Sequence, residues 1–245
     1  MKVSAIIFIL FWSSGMLWAQ ENRIANLPST GAVQSYFSKT KEYAALYNGK
    51  VITPYDRRFT NHPCFETNSY VAGTLCYNHV VYSDVLMRFD LYRDELTVIS
   101  PDVPHRIVLN NEKFNYAVLN GSTIIKSVDE KTSKVKFLVL LHTGICPVVK
   151  KHRISIVEKH EERILTNTFN IQNQYAIYKD GIPYAVKNKN SILKLFPDRK
   201  KELNEFARQH KLNFKSQIEQ SIIDMVTHYE NLTSQRHADE TDLRR

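Results

Sequence analysis

The sequence predicts an α+β fold: a predominantly antiparallel, strongly curved β-meander that forms an open, barrel-like sheet, with a C-terminal helical hairpin packed on it. Three observations predict this class. Apolar and polar residues alternate between Asp84 and Ser100, which is typical of half-buried antiparallel strands. Asn120-Gly121 and Asp180-Gly181 are typical two-residue hairpin turns, because these residues tolerate positive φ. From Ser191 onward the apolar residues recur at helical spacing.

The strands of the sheet are predicted from alternation and from the turn residues that separate them. In the first hairpin, Val85, Met87 and Phe89 share one face of a strand. Further strands are predicted at residues 105–109, 114–118, from 124, and at 135–141, 148–156, 172–179 and 182–186, with a charged loop or helical turn at 158–163. Their spacing indicates a meander of roughly eight to ten strands.

Three details of these strands carry structural expectations. Phe114, Tyr116 and Val118 alternate and are expected to share a face. Val135–Leu141 is almost continuously apolar, so that strand should be covered on both faces, with the C-terminal helices as the expected cover. Pro183 predicts an edge strand, because proline cannot donate to a sheet ladder.

Two helices are predicted after the sheet. The first follows Pro197, which suits a first helical turn. The second begins at Ser216, where Glu219 completes a capping box. The predicted apolar stripes are Leu203, Phe206, Ala207 and His210 in the first helix and Ile218, Ile222, Met225, Val226 and Tyr229 in the second. Both stripes must be buried, most economically on the sheet. Residues 232–245 have no apolar pattern and are predicted to form a disordered, charged tail.

The first residues resemble a secretory signal peptide. Lys2 precedes an apolar run, Val3–Leu17, and Ala19 is a small residue at the expected cleavage point. A membrane anchor is the alternative, but the run is shorter than the ~20 apolar residues that a span needs. We therefore expect an exported protein, periplasmic, outer-membrane-associated or extracellular, that is not an integral membrane protein after cleavage. A single domain is predicted over residues 20–231.

The charge distribution predicts a possible interaction surface. The chain carries a formal net charge of +8, and residues 187–215 hold nine Lys or Arg against three Asp or Glu. At the centre of this stretch are Lys194, Arg199, Lys200 and Lys201. An envelope protein or an anionic envelope component, such as a lipid headgroup or a glycan, is the expected partner. Export argues against nucleic acid. The alternative is the solvated polar face of an amphipathic helix.

The three cysteines, Cys64, Cys76 and Cys146, are too few for a disulfide scaffold. If residues 67–73 form a hairpin loop, Cys64 and Cys76 lie opposite each other, and a disulfide there is a candidate worth about 3 kcal/mol. Two ordinary, partly buried thiols are the alternative. Cys146 lies in an apolar stretch and is expected to be packed.

Catalytic and cofactor motifs do not emerge from the sequence. There is no G-x-S-x-G, H-E-x-x-H, C-x-x-C or glycine-rich phosphate loop. Asp90 and Asp94 flank a turn and are the one carboxylate pair considered for acid–base chemistry, although aspartate is favoured at turns for structural reasons. We therefore predict no catalytic, cofactor-binding or metal-ligating residues, and a protein that is not an enzyme.

Several segments together resemble a family of secreted or periplasmic proteins of Bacteroidota with no established activity. The matching pieces are Tyr47-Asn48-Gly49-Lys50, His62-Pro63 with Phe65, Gly73, Phe89-Asp90 with Asp94, Phe114, and Ser191–Phe196 continuing into Asp198–Leu203. Cys64 stands where the family has an aromatic residue, and Phe89 where tyrosine is usual. The resemblance implies an exported, single-domain protein and no particular activity.

Three functional hypotheses follow. The first is a non-enzymatic binding module that uses the basic helical surface. The second is a periplasmic carrier of a lipid or another apolar ligand held between the curved sheet and the helices, which requires an apolar pocket of several hundred Å³. The third is a hydrolase whose site matches no motif, which requires converging polar groups with shifted pKa values.

Overall fold

The computed structural model describes residues 46–55, 59–100, 105–128, 135–161 and 164–242. These residues belong to one compact unit, Leu46–Arg245. The predicted signal peptide, residues 1–19, and the start of the predicted domain lie outside the described residues. Within the described ranges, no helix combines the length and the apolar character needed to cross a membrane.

One antiparallel sheet of eleven strands confirms the predicted fold class. The strands are β1 (Lys50–Val51), β2 (Val71–Tyr77), β3 (Val80–Asp90), β4 (Glu95–Ile99), β5 (Arg106–Val108), β6 (Phe114–Leu119), β7 (Ser122–Val128), β8 (Val135–His142), β9 (Val148–Glu161), β10 (Ile164–Lys179) and β11 (Ile182–Val186). Their order in the sheet is β1-β5-β4-β3-β2-β6-β7-β8-β9-β10-β11. β11 ends the sheet, as Pro183 predicted, and β1 ends it on the other side.

The sheet is strongly curved, and aromatic packing across its concave face shows this. The rings of Phe89 on β3 and Phe137 on β8 are 4.6 Å apart, although β2, β6 and β7 lie between those two strands. Phe114 also contacts Phe137, with ring centroids 4.9 Å apart. Side chains from distant strands can meet in this way only if the sheet bends around them, since neighbouring strands are spaced by about 4.8 Å.

The predicted two-residue turns are present. Asn120 and Gly121 have φ values of 49° and 76°, and Asp180 and Gly181 have values of 54° and 77°. Positive φ at both turn positions matches the right-handed twist of the flanking strands.

The expectation that Phe114, Tyr116 and Val118 share a face is wrong: Phe114, Ala117 and Leu119 are buried instead. A register shift, in which Cys76 pairs with Tyr116 but Tyr77 with Phe114, inserts an extra residue and reverses the alternation.

The hairpin of β9 and β10 is much longer than predicted. Its ladder runs from the pair Val148–Ile177 to the pair Glu161–Ile164, so residues 158–161 belong to a strand and not to a charged loop or helical turn. The far part of the hairpin is held by the segment before β2. Phe59 stacks on Phe169 at 4.1 Å, and the Asn61 side chain exchanges two hydrogen bonds with the Phe169 backbone.

Three helices follow the sheet: α1 (Lys189–Leu195), α2 (Lys200–Gln209) and α3 (Ile218–Asp242), with a 3-10 turn at Pro197–Arg199. Asn188 caps α1, in a capping box with Ser191. Most of the predicted stripe residues are buried, and Leu203, Ile222, Met225 and Val226 have no solvent exposure. His210, which was predicted to belong to the first stripe, is exposed. They pack with Val148, Tyr175, Ile177 and Val186 of the sheet, which confirms that the helical hairpin covers one face.

Residues 232–242 are helical, which corrects the predicted disordered tail. α3 continues to Asp242. The hydroxyl groups of Thr233 and Ser234 donate to the carbonyls of Tyr229 and Glu230, four residues earlier. No glycine or proline follows Tyr229 to stop the helix, and extension of an existing helix is much easier than its nucleation.

The candidate disulfide between Cys64 and Cys76 is absent, and all three cysteines are buried free thiols. The backbone of Cys64 forms an isolated β-bridge with Asp90 at one end of β3. Cys76 is paired in the sheet with Val81, near the other end of β3. Nine residues of strand span roughly 30 Å, far beyond the ~7 Å between Cα atoms that a disulfide allows. Residues 67–73 are therefore not the loop of a hairpin that brings the two cysteines together.

Candidate functional site

The last three strands present two different faces. Val148, Ile177 and Val186 point towards the helices and are almost fully buried there. Each next residue along the strand points the opposite way, because side chains alternate across a sheet. The register aligns Val149 with Ala176 and Ala176 with Ala185. These three residues therefore form one row on the face that the helices do not cover.

A half-open cavity of about 610 Å³ lies mainly on this uncovered face, and its edge also reaches Tyr175, Val186 and Ile218 at the border of the helix-covered side. Its size is within the range of small-molecule sites. Two of its apolar residues, Leu138 and Val149, are only 7% and 3% exposed, so they form a floor. The lining consists of Ser127, Lys136, Leu138, Val149, Lys151, Gln172, Asn173, Gln174, Tyr175, Ala176, Tyr178, Pro183, Ala185, Val186, Lys187 and Ile218.

The charged groups around this cavity are all positive. Lys136, Lys151 and Lys187 belong to its lining, which includes no carboxylate. Of these lysines, Lys136 forms an ion pair with Asp94, whose carboxylate lies 2.5 Å from its ammonium. A cavity with an apolar floor and a cationic rim favours a ligand that has an apolar part and an anionic part.

The cavity opens at one end into a fork between β8 and β9, which we define as residues 135–138 and 151–154. The β8–β9 ladder contains only pairs to Val148, Val149 and Lys150, so the two strands diverge beyond Lys150. A second cavity of about 380 Å³ lies in this fork. Both cavities are lined by Lys136, Lys151 and Gln174, and they therefore adjoin.

His152 lies in the fork, and its surroundings favour the neutral imidazole over the charged form. Its Nδ1 is 2.9 Å from the Asn173 carboxamide oxygen, which places the ring proton on Nδ1. Burial, followed by the positive charge of Lys150, lowers the pKa of His152 below its ordinary value of 6.5. Its Nε2 is buried without a hydrogen-bond partner among the described residues. The fork therefore contains one unused hydrogen-bond acceptor.

A polar cluster fixes the first turn of α3 beside the cavity. The Lys150 ammonium lies 3.1 Å from both carboxylate oxygens of Glu219, and the Tyr175 hydroxyl donates to the same carboxylate at 3.0 Å. Burial and this carboxylate raise the pKa of Tyr175 to about 12. Glu219 was predicted to complete a capping box with Ser216, but α3 begins two residues later, at Ile218, and the carboxylate reaches the sheet.

The predicted basic surface is exposed and lies elsewhere. Lys194, Lys200 and Lys201 are exposed on α1 and α2. Arg199 is partly buried and lies 3.3 Å from the carboxylate of Glu202. None of these four residues lines the cavity or the fork. This surface is therefore separate from the cavity site.

Asp90 and Asp94 have structural partners. Asp90 is buried, accepts a hydrogen bond of 2.6 Å from the Tyr55 hydroxyl and accepts two more from the backbone amides of Tyr92 and Arg93. Asp94 pairs with Lys136. These contacts describe an aspartate that shapes a turn and a carboxylate in an ion pair. They offer no carboxylate pair aimed at a common substrate position.

The space between the sheet and the helices is filled. Ile192, Phe196, Leu203, Ile222 and Met225 have no solvent exposure there. The carrier hypothesis placed its ligand in this layer, where these close-packed side chains leave little space for one. The cavity lies on the other face of the same strands.

Sequence reasoning did not select the cavity residues, although one signal pointed towards them. The apolar run of β8 predicted a strand covered on both faces, and Leu138 is indeed buried on the face opposite Phe137 and Val139. Lys136 and Lys151 are ordinary lysines in sequence. Only the register, which sets Lys151 beside Gln174, reveals that they share a site.

In the described part of the chain, no group of three or more His, Cys, Asp or Glu side chains is arranged to hold a metal ion. Comparisons of the chain with protein families, with curated proteins and with solved structures find no match.

Proposed function

We propose that this protein binds and carries a single-chain amphiphile, an alkyl chain with an anionic head, in the cavity on the uncovered face of β8–β11. One observation supports the proposal above the others. A cavity of about 610 Å³ combines buried apolar floor residues with lysines and no carboxylate in its lining. This modifies the carrier hypothesis by moving the ligand from the helical face to the opposite face.

Two physical terms favour such a ligand. An alkyl chain on Leu138, Val149 and Ala176 loses contact with water, which contributes about 25 cal/mol for each Å² of apolar surface that is buried. An anionic head near the lysines gains electrostatic attraction, and that attraction contributes to specificity and association rate as well as to affinity. A purely apolar ligand would leave the lysine rim unused.

The proposal is tested by titration calorimetry with dodecanoate. The variant Ala185→Trp places a large side chain at the cavity wall. The control Ile182→Trp introduces the same side chain on the same strand, at a residue outside the cavity lining. Both positions are exposed, so both variants should fold. We expect at least tenfold weaker binding for Ala185→Trp and unchanged binding for Ile182→Trp.

Equal binding by the two variants, or no binding by the unmodified protein, would contradict the proposal. Native mass spectrometry of the protein purified from its own organism provides an independent check. A co-purified alkyl-chain acid or phosphate is expected, and its mass should be lost from Ala185→Trp.

A second candidate function uses the basic helical surface of Lys194, Arg199, Lys200 and Lys201. It is favoured by the exposure of its three lysines. Binding to phosphatidylglycerol vesicles should fall in the variant with Lys194, Lys200 and Lys201 changed to Gln. The matched control changes Lys50, Lys113 and Lys126 to Gln, which removes the same charge elsewhere; an equal loss in the control would reject a specific surface.

A further inference from the structure

The lining of the cavity changes in character along the strand direction, and the register of the sheet shows which residues lie at each end. At one end, Tyr178 pairs with Pro183. The next row on the same face contains Val149, Ala176 and Ala185. These rows are apolar apart from the tyrosine hydroxyl.

The rows that follow are polar and basic. Two residues further along, Lys151 pairs with Gln174, and beyond it Arg153 pairs with Gln172. β8 contributes Leu138 and then Lys136 in the same direction, because it runs antiparallel to β9. The lining therefore changes from apolar to cationic over about four residues of strand, or roughly 13 Å. The cationic end is the fork.

The charges in the fork are not equally available. Lys136 is paired with Asp94. Lys151 and Arg153 have no ion-pair partner among the described residues. Asp94 is also the one carboxylate in the lining of the fork cavity, and Lys136 already balances it. Two uncompensated cations thus remain at this end.

From this arrangement we infer that the amphiphile binds in one orientation, with its anionic head in the fork at Lys151 and Arg153 and its chain running towards Tyr178 and Pro183. This inference rests on the proposed function and adds the site of the head and the class of the head group. A carboxylate or a phosphate satisfies both cations, whereas an alcohol of the same chain length satisfies neither. The guanidinium of Arg153 can contact either anion through two parallel hydrogen bonds.

The test compares dodecanoate with dodecanol, which share a chain and differ in the head. Calorimetric titrations use the unmodified protein, Lys151→Gln, Arg153→Gln and the control Lys194→Gln, which removes one positive charge from the helical surface. We expect each fork variant to bind dodecanoate about three- to tenfold more weakly, as is typical of loss of one partly exposed charge pair. Dodecanol binding should stay unchanged in all variants, and Lys194→Gln should bind both ligands normally.

A second readout reports the position of the head directly. The carboxylate of ¹³C-labelled dodecanoate is titrated by NMR while bound, and nearby cations should lower its pKa relative to the free acid. Lys151→Gln should bring that pKa back towards the free value.

Three outcomes would overturn the inference. If the fork variants bind dodecanoate and dodecanol as the unmodified protein does, the head lies elsewhere, while the proposed carrier function stands. If Lys194→Gln weakens dodecanoate binding as much as Lys151→Gln does, the effect is one of total charge and not of a head site. If neither ligand binds the unmodified protein, the proposed function itself fails and the inference fails with it.

Discussion

The two faces of β9–β11 are built from neighbouring residues and do different things. Val148 and Val149 are adjacent in sequence and both nearly fully buried, but Val148 packs under the helices and Val149 forms the floor of a cavity. On β11, Val186 is buried by the helices while Ala185 is exposed at the cavity wall. A single helical hairpin covers only one face of a sheet. The comparison shows how the same strands can stabilise the fold on one side and leave space for a ligand on the other.

The largest difference between the two faces should be seen when a large side chain is removed from the helix-covered face. Ile222 has no solvent exposure in the helix–sheet core. Ile222→Ala should lower the free energy of unfolding by about 2–5 kcal/mol, because it leaves a cavity that the packed neighbours cannot fill. Urea denaturation of the variant and the unmodified protein measures this difference in the free energy of unfolding.

The control for this prediction is Ile182→Ala on the exposed edge strand. It should change the free energy of unfolding by less than about 0.5 kcal/mol, as is usual for surface substitutions. Similar effects of the two substitutions would mean that the helices do not pack on the sheet as described.

A second prediction concerns the polar contact that holds the middle of α3 to the sheet. The Glu230 carboxylate accepts a hydrogen bond of 2.7 Å from the Cys146 amide and lies 2.9 Å from Nε2 of His142. Glu230→Ala should lower the free energy of unfolding by about 1–3 kcal/mol, since the Cys146 amide loses its acceptor in a buried position.

Glu205→Ala provides the control for Glu230, because Glu205 is exposed on α2 and should have little effect. The glycine at 144 adds a structural check. A Cβ at this position would push the Glu230 carboxylate out of place, so Gly144→Ala should lower stability by no more than Glu230→Ala does. A neutral result for both Glu230→Ala and Gly144→Ala would show that this contact does not contribute to docking of α3.

The third prediction concerns how the stability of the protein depends on pH through His152 in the fork. The pKa of His152 is lower in the folded protein than its ordinary value of 6.5, so the unfolded chain takes up the proton first as pH falls. Stability is therefore unaffected above pH 6.5 and decreases as pH drops from there through the folded pKa. His152→Gln should weaken this acid sensitivity, measured by urea denaturation at a series of pH values.

His228 has a pKa that burial also lowers, so some acid sensitivity should remain in His152→Gln. A profile for His152→Gln that matches the unmodified protein would indicate that His152 titrates normally and is not held neutral in the fork.

The smallest effect on stability is expected for a substitution on the exposed helical surface. Arg199 and Glu202 form a partly exposed pair at 3.3 Å, and such pairs contribute little because water and salt screen them. Arg199→Gln should leave the midpoint of urea denaturation unchanged. A clear loss of stability would show that this surface supports the fold and is not simply available to partners.

Much of the fold was predictable from local patterns. Asn120-Gly121 and Asp180-Gly181 specify their turns because few other residues adopt positive φ readily. The buried residues of α2 and α3 followed from helical spacing. Phe114 shows where such reasoning fails: one extra residue in a strand reverses every later side chain, and nothing local marks its place. The far part of the β9–β10 hairpin was missed because its polar residues lack alternation. Its stability comes from the ladder and from contacts with Phe59 and Asn61.

The class of fold, most of the strands after Asp84 and most of the buried helix residues could be predicted from sequence, because they depend on periodicity and turn chemistry within short segments. Only the tertiary structure decided that Cys64 and Cys76 lie at opposite ends of a strand, and that Lys136, Lys151 and Arg153 meet at the end of an apolar cavity. Positions like these depend on register and curvature, which sum over the whole sheet.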